Sequence, residues 1–114
     1  MTCPEAFHGR WRIVWIEGWE SYDLDVVQQA HISFQGESDG SLAFGLADGS
    51  LEVEYAITDK SCSAEFSWQG HVDRNMAGGF GKVMLGATGD LSGNIHIFNF
   101  EDRSFKAKRE SVLK

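Results

Sequence analysis

From Gly9-Arg10-Trp11 onward, nearly the whole chain alternates apolar and polar residues in short runs separated by Gly, Asp, Asn and Ser. Successive side chains of a strand point to opposite faces, so a period of two implies β-structure with one apolar face. Repeated turn chemistry between such runs implies antiparallel hairpins. At 114 residues the chain makes a single domain, residues 1–114, with residues 1–8 a loosely ordered N-terminus before the first strand. Folding at this size buries roughly two-thirds of the unfolded surface, enough for a core without metals or disulfides.

The first predicted strand covers residues 10–16, with Trp11, Ile13 and Trp15 inward and Val14 and Ile16 on the other face. A long polar segment, residues 17–29, carries Trp19, Tyr22 and Leu24 and reads as a loop with room for one helical turn. A second strand, 30–35, turns at Ser38-Asp39-Gly40, which would set Phe34 opposite Phe44 and Ile32 opposite Leu46. Ala47-Asp48-Gly49-Ser50 reads as the next hairpin, because Asp-Gly between alternating runs favours a tight turn. It would place Leu46 against Leu51, Phe44 against Val53 and Leu42 against Tyr55. Asp59-Lys60 closes a third hairpin, opposing Val53 with Phe66 and Leu51 with Trp68. Residues 71–77 read as a polar loop, and Gly-rich strands follow with Val83, Leu85, Ile95 and Ile97 inward. The last strand, 103–109, turns Phe105 and Ala107 inward.

A meander of eight such strands exposes two edges unless it closes, and eight strands enclose a space that side chains fill or one small ligand occupies. The expected fold is therefore an all-β antiparallel meander closed, or nearly closed, into a barrel, with a β-sandwich as the alternative.

Gly9-Arg10-Trp11 resembles the G-x-W motif of the calycin group, the lipocalins, fatty-acid-binding proteins and avidins. In those barrels the Trp packs at the closed end under a basic residue of the final strand. The resemblance implies that part for Trp11 with Arg109 or Lys108, and a lid over the open mouth for the segment after strand one. The turn at Thr88-Gly89-Asp90 lacks the T-D-Y pattern of lipocalins. Most of the chain, through Glu65-Phe66-Ser67-Trp68 to the Gly-rich run, also resembles small bacterial proteins without assigned activity, and this implies no reaction.

Chemistry-bearing patterns are sparse. His8, His31, His71 and His96 share no spacing of two or four, and there is no C-x-x-C, so no metal site is expected. His31 and His96 point away from the core in this phasing. Glu54 should face Glu65 with Glu52 nearby, and this stripe reads as a solvated face rather than an acid/base pair. Gly78-Gly79-Phe80-Gly81-Lys82 fits neither a phosphate loop nor a dinucleotide motif. No serine stands in a G-x-S-x-G setting, so no catalysis and no cofactor are expected. A net charge of −7 argues against nucleic acid and anionic membranes. The one basic cluster, Arg103, Lys106, Lys108 and Arg109, reads as a solvated last strand. Cys3 and Cys62 read as free thiols of a soluble cytoplasmic protein.

The expected function is binding of a small apolar or aromatic molecule inside the barrel. Trp15, Phe34, Phe44, Tyr55, Phe66 and Trp68 would line the cavity, Trp19 and Tyr22 would stand at its mouth, and Tyr55 would supply a polar handle. The alternative is a ligand-free barrel acting through protein contact, for instance as a homodimer, through Val14, Ile16, Phe98 and Phe100.

Overall fold

The computed structural model describes residues 3–26, 28–58, 61–86, 89–97 and 102–110. Eight antiparallel strands follow one another around a closed barrel in chain order. They are β1 (Gly9–Ile16), β2 (His31–Gln35), β3 (Asp39–Phe44), β4 (Ala47–Thr58), β5 (Ser61–Val72), β6 (Asn75–Leu85), β7 (Leu91–Ile97) and β8 (Arg103–Arg109). Helix α1 (Cys3–Phe7) lies at the base, where β1 begins, and α2 (Ser21–Leu24) lies at the mouth, in the connection from β1 to β2. The N-terminal residues expected to be loose thus include a helix, and its Phe7 is fully buried. No described helix is long and apolar enough to cross a membrane. Cys62 is disulfide-bonded, which corrects the free-thiol reading and removes the cysteine argument for a cytoplasmic setting.

The barrel closes where β1 meets β8, with Trp11 paired to Arg109 and Ile13 to Ala107. The Arg109 guanidinium stands over the Trp11 ring, 4.2 Å from its centroid. It also donates to the carbonyls of His8 (2.7 Å) and Ala6 (2.8 Å), while Trp11 Nε1–H donates to the Phe7 carbonyl at 2.9 Å. One guanidinium therefore ties the last strand to the first ring of β1 and to the carbonyl end of α1, where cations are favoured.

The interior follows the expected parity with instructive exceptions. The β4–β5 register is as expected: Val53 faces Phe66, Leu51 faces Trp68 and Glu54 faces Glu65. Large rings fit because their neighbours on β6 are glycines. Trp68 faces Gly79 and Phe66 faces Gly81, where an added Cβ would stand 2.5 Å from the Phe66 ring. Val83 and Ile95 are buried, and Leu85 and Ile97 pack against the core.

The exceptions lie in the first half and at the turns. A bulge between Ile13 and Trp15 reverses the phase of β1. Trp15 therefore points outward, 42% exposed under Lys106, and Ile16 is buried instead. The β2–β3 turn comes two residues earlier than expected: Gln35 pairs with Asp39, so Phe34 faces Gly40 and Ile32 faces Leu42. Asp48 and Gly49 lie within β4, and the turn is at Gly45-Leu46, with Phe44 facing Ala47 and Leu42 facing Gly49. Leu46, expected inside, is 49% exposed at that turn. Residues 71–77 are not a loop, since β5 and β6 meet at a two-residue turn with Asp73 and Arg74 both at positive φ. His31, expected outside, is buried, with Nδ1 2.9 Å from the Gln29 carbonyl. Phe98 and Phe100 lie outside the described residues.

Replacing Arg109 by Leu removes charge-assisted bonds and a cation–π contact at once. Chemical denaturation should show a loss of about 2–3 kcal/mol. Lys106→Leu, which removes only the exposed contact to Trp15, should lose less than about 1 kcal/mol.

Candidate functional site

The two ends of the barrel differ. At the base, Phe7, Phe34 and Tyr55 form a cluster of rings with centroids 5.5–6.4 Å apart. Phe34, Phe66 and Trp68 are 1, 4 and 3% exposed, so these expected lining rings are packed into the core. Tyr55 is packed at the base, away from the mouth. Its hydroxyl is buried without a hydrogen-bond partner among the described residues, and burial raises its pKa above the ordinary 10.0.

The mouth holds a cleft of about 800 Å3. Parity builds its floor. Ala47 continues the inward face of Leu51 and Val53, Val72 that of Phe66 and Trp68, and Ile97 that of Ile95. Phe44 stands beside them at the end of β3. Residues 17–26 make the roof. Trp19 meets Phe44 edge-on, with ring centroids 5.5 Å apart. The Gly45 amide donates to the Leu24 carbonyl at 2.7 Å, and Leu24 is buried as a plug. Gly45 is required twice: its φ is +55°, and a Cβ there would stand 2.7 Å from the Trp19 ring. Asp25 anchors the far end of the roof, accepting from Ala30 N–H (2.8 Å) and Arg12 Nη2 (3.1 Å).

Charge enters this cleft at Asp23 and Arg103. Asp23 Oδ2 accepts from the Glu20 amide at 3.0 Å, which fixes it to the start of α2. Arg103 opens β8 on the same face as the buried Phe105 and Ala107. Its guanidinium lies against Gly18, where an added Cβ would be 3.2 Å from Nη1.

Of the eight rings expected to bind, the mouth cleft brings together Trp19 and Phe44. Trp15 is outside the barrel, and Tyr22, 78% exposed, does not line the cleft. Val26, Leu46, Val72, Ile97 and Arg103 line it without having been named as binding residues. Arg103 was legible: it stands two residues before Phe105, in the same phase. Instead of forming one solvated cluster, the basic residues of β8 divide among mouth (Arg103), outer wall (Lys106) and base (Arg109).

Elsewhere the chemistry is modest. Among the described residues no group of three or more His, Cys, Asp or Glu is placed to hold a metal ion. Glu54 and Glu65 face each other on the exposed outer wall, with Lys82 opposite Glu65 on its other side. His96 stacks on Phe80 at 4.7 Å and contacts Asp102 through Nδ1, also on the outer wall. No family model, curated protein or solved structure matches this chain.

The buried hydroxyl gives a pH prediction. Because the folded state holds the Tyr55 proton more tightly than the unfolded chain, stability from this group is level below pH 10.0 and falls as pH rises above it. Tyr55→Phe should flatten that fall, and at neutral pH should leave stability unchanged or raise it by up to about 1 kcal/mol. Denaturant melts of both proteins at pH 7 and above pH 10 measure this.

Proposed function

We propose that this protein is a non-catalytic binding barrel, calycin-like in architecture, that takes a small apolar or aromatic molecule at its mouth rather than in a hollow centre. The observation that carries this reading is the contrast between the ends: rings packed together at the base, and an open cleft of about 800 Å3 under Trp19 at the mouth. Sites for small molecules are concave, mostly apolar and furnished with few polar groups. Trp19, Phe44, Leu46, Val72 and Ile97 supply the apolar wall, and Asp23 and Arg103 the polar groups. The calycin likeness is supported by the closed eight-strand meander and by Arg109 over Trp11 at the closed end. Apolar burial at roughly 25 cal/mol per Å2 would supply the affinity.

A second reading is favoured by one feature of the outer wall. Met76, Phe80 and Met84 share the outward face of β6 and are 81, 52 and 47% exposed. Such a stripe suits contact with another protein, including a second copy of this chain. Native mass spectrometry distinguishes the readings: a monomer with a retained small molecule fits the first, and a ligand-free dimer the second.

The cleft reading predicts that the neutral fluorophore N-phenyl-1-naphthylamine binds with enhanced emission. Val72→Trp, which fills the floor, should weaken it at least tenfold, about 1.4 kcal/mol. Unchanged affinity in a folded Val72→Trp protein would exclude the mouth.

A further inference from the structure

We propose that the outer wall of β4, β5 and β6 binds a neutral oligosaccharide, with Phe80 as the stacking ring and Glu52, Ser67 and Gln69 as the hydrogen-bonding groups. Among the described residues this site borders the mouth cleft only at Val72, and it does not depend on the mouth reading.

Two concavities of about 750 and 620 Å3 adjoin on that wall. Both are lined by Glu52 and Ser67, so they make one groove. It runs beside β6 from Asn75 to Gly81, about 20 Å at the rise of a strand, which suits a chain of rings more than a single small molecule. Strand register furnishes it. Ser50 pairs with Gln69 and Glu52 with Ser67 across β4–β5, then Gln69 with Gly78 and Ser67 with Phe80 across β5–β6. Ser50, Glu52, Ser67 and Gln69 are exposed, and among the described residues none of their side chains makes a hydrogen bond or ion pair within the protein. Phe80 is 52% exposed, and His96 stacked on it at 4.7 Å fixes the attitude of its ring.

These groups match the chemistry of a sugar. A pyranose presents a face of C–H groups, which suits the negative face of an aromatic ring, and a rim of hydroxyls that both donate and accept. Gln69 and Ser67 do both as well, and the Glu52 carboxylate accepts from hydroxyls through two oxygens. A protein partner calls for a broader apolar patch. Here the apolar stripe of β6 is one residue wide, is interrupted by Gly78 and Lys82, and is bordered on β5 by Glu65, Ser67 and Gln69. Glu52, Glu54, Glu65 and Asp73 along the groove would repel an anionic chain, so the saccharide is neutral.

A printed array of neutral and anionic glycans, probed with the fluorescently labelled intact protein, tests this. Retention on neutral glycans, and not on sulfated or uronic ones, is the expected result. By titration calorimetry, Phe80→Ala should weaken binding of a retained glycan about tenfold and Gln69→Ala severalfold. Both positions are exposed, so N-phenyl-1-naphthylamine should bind each variant within about twofold of the native protein, which separates this groove from the mouth. If that probe does not bind the native protein, the mouth reading falls and this one stands on the array. Failure to retain any neutral glycan, retention of anionic glycans at equal strength, or affinity unmoved by both variants overturns the proposal. A native dimer that Phe80→Ala dissociates also overturns it, in favour of a second copy on this wall.

Discussion

A meander becomes a barrel only if its first and last strands find each other, and here Arg109 ties the lower end of that seam to the base. Arg109 sits 4.2 Å from the Trp11 centroid while donating to Ala6 and His8. The Trp11 indole in turn donates to Phe7. Because these groups hold one another, strand pairing, ring position and the N-terminal helix are fixed together. The seam continues upward through Ile13–Ala107 and, past the bulge, Ile16–Phe105, so a small closed core is possible without an exposed edge.

Closing the base also decides where function can lie. Phe7, with Phe34 and Tyr55, fills the bottom, and Phe66 and Trp68 fill the middle because glycines of β6 make room for them. What stays open is the upper rim, where the roof segment crosses the strand ends. The roof is tied by backbone and carboxylate bonds at Leu24 and Asp25, which leaves Trp19 as its apolar underside. The mouth thus combines a built shape with little internal filling.

Much of this was legible from residue order, and the failures have physical causes. Alternation gave the β class, and the 12-residue strands β4 and β5 gave the register around Asp59-Lys60, because a slip would expose Val53 and Phe66. The G-x-W resemblance anticipated the base. Asp48-Gly49 misled, since its turn chemistry lost to Gly45, which alone combines positive φ with room for Trp19. Trp15 misled because a bulge resets parity without a local signature; the apolar Val14 and Ile16 beside it were the trace it left. Inward rings say nothing of how tightly they meet, so alternation alone does not separate a hollow centre from a packed one. Arg103 belongs by charge with Lys106 and Arg109 but by phase with Phe105, and it is phase that places it at the mouth.

The most direct test of this account is the seam itself, read by nuclear Overhauser contacts in the isotope-labelled protein. Cross-strand contacts linking the backbone of Trp11 to Arg109, Ile13 to Ala107 and Ile16 to Phe105 are the predicted result. A folded protein in which β1 and β8 show no such contacts, or in which Trp15 rather than Ile16 shows contacts to the interior, would contradict it.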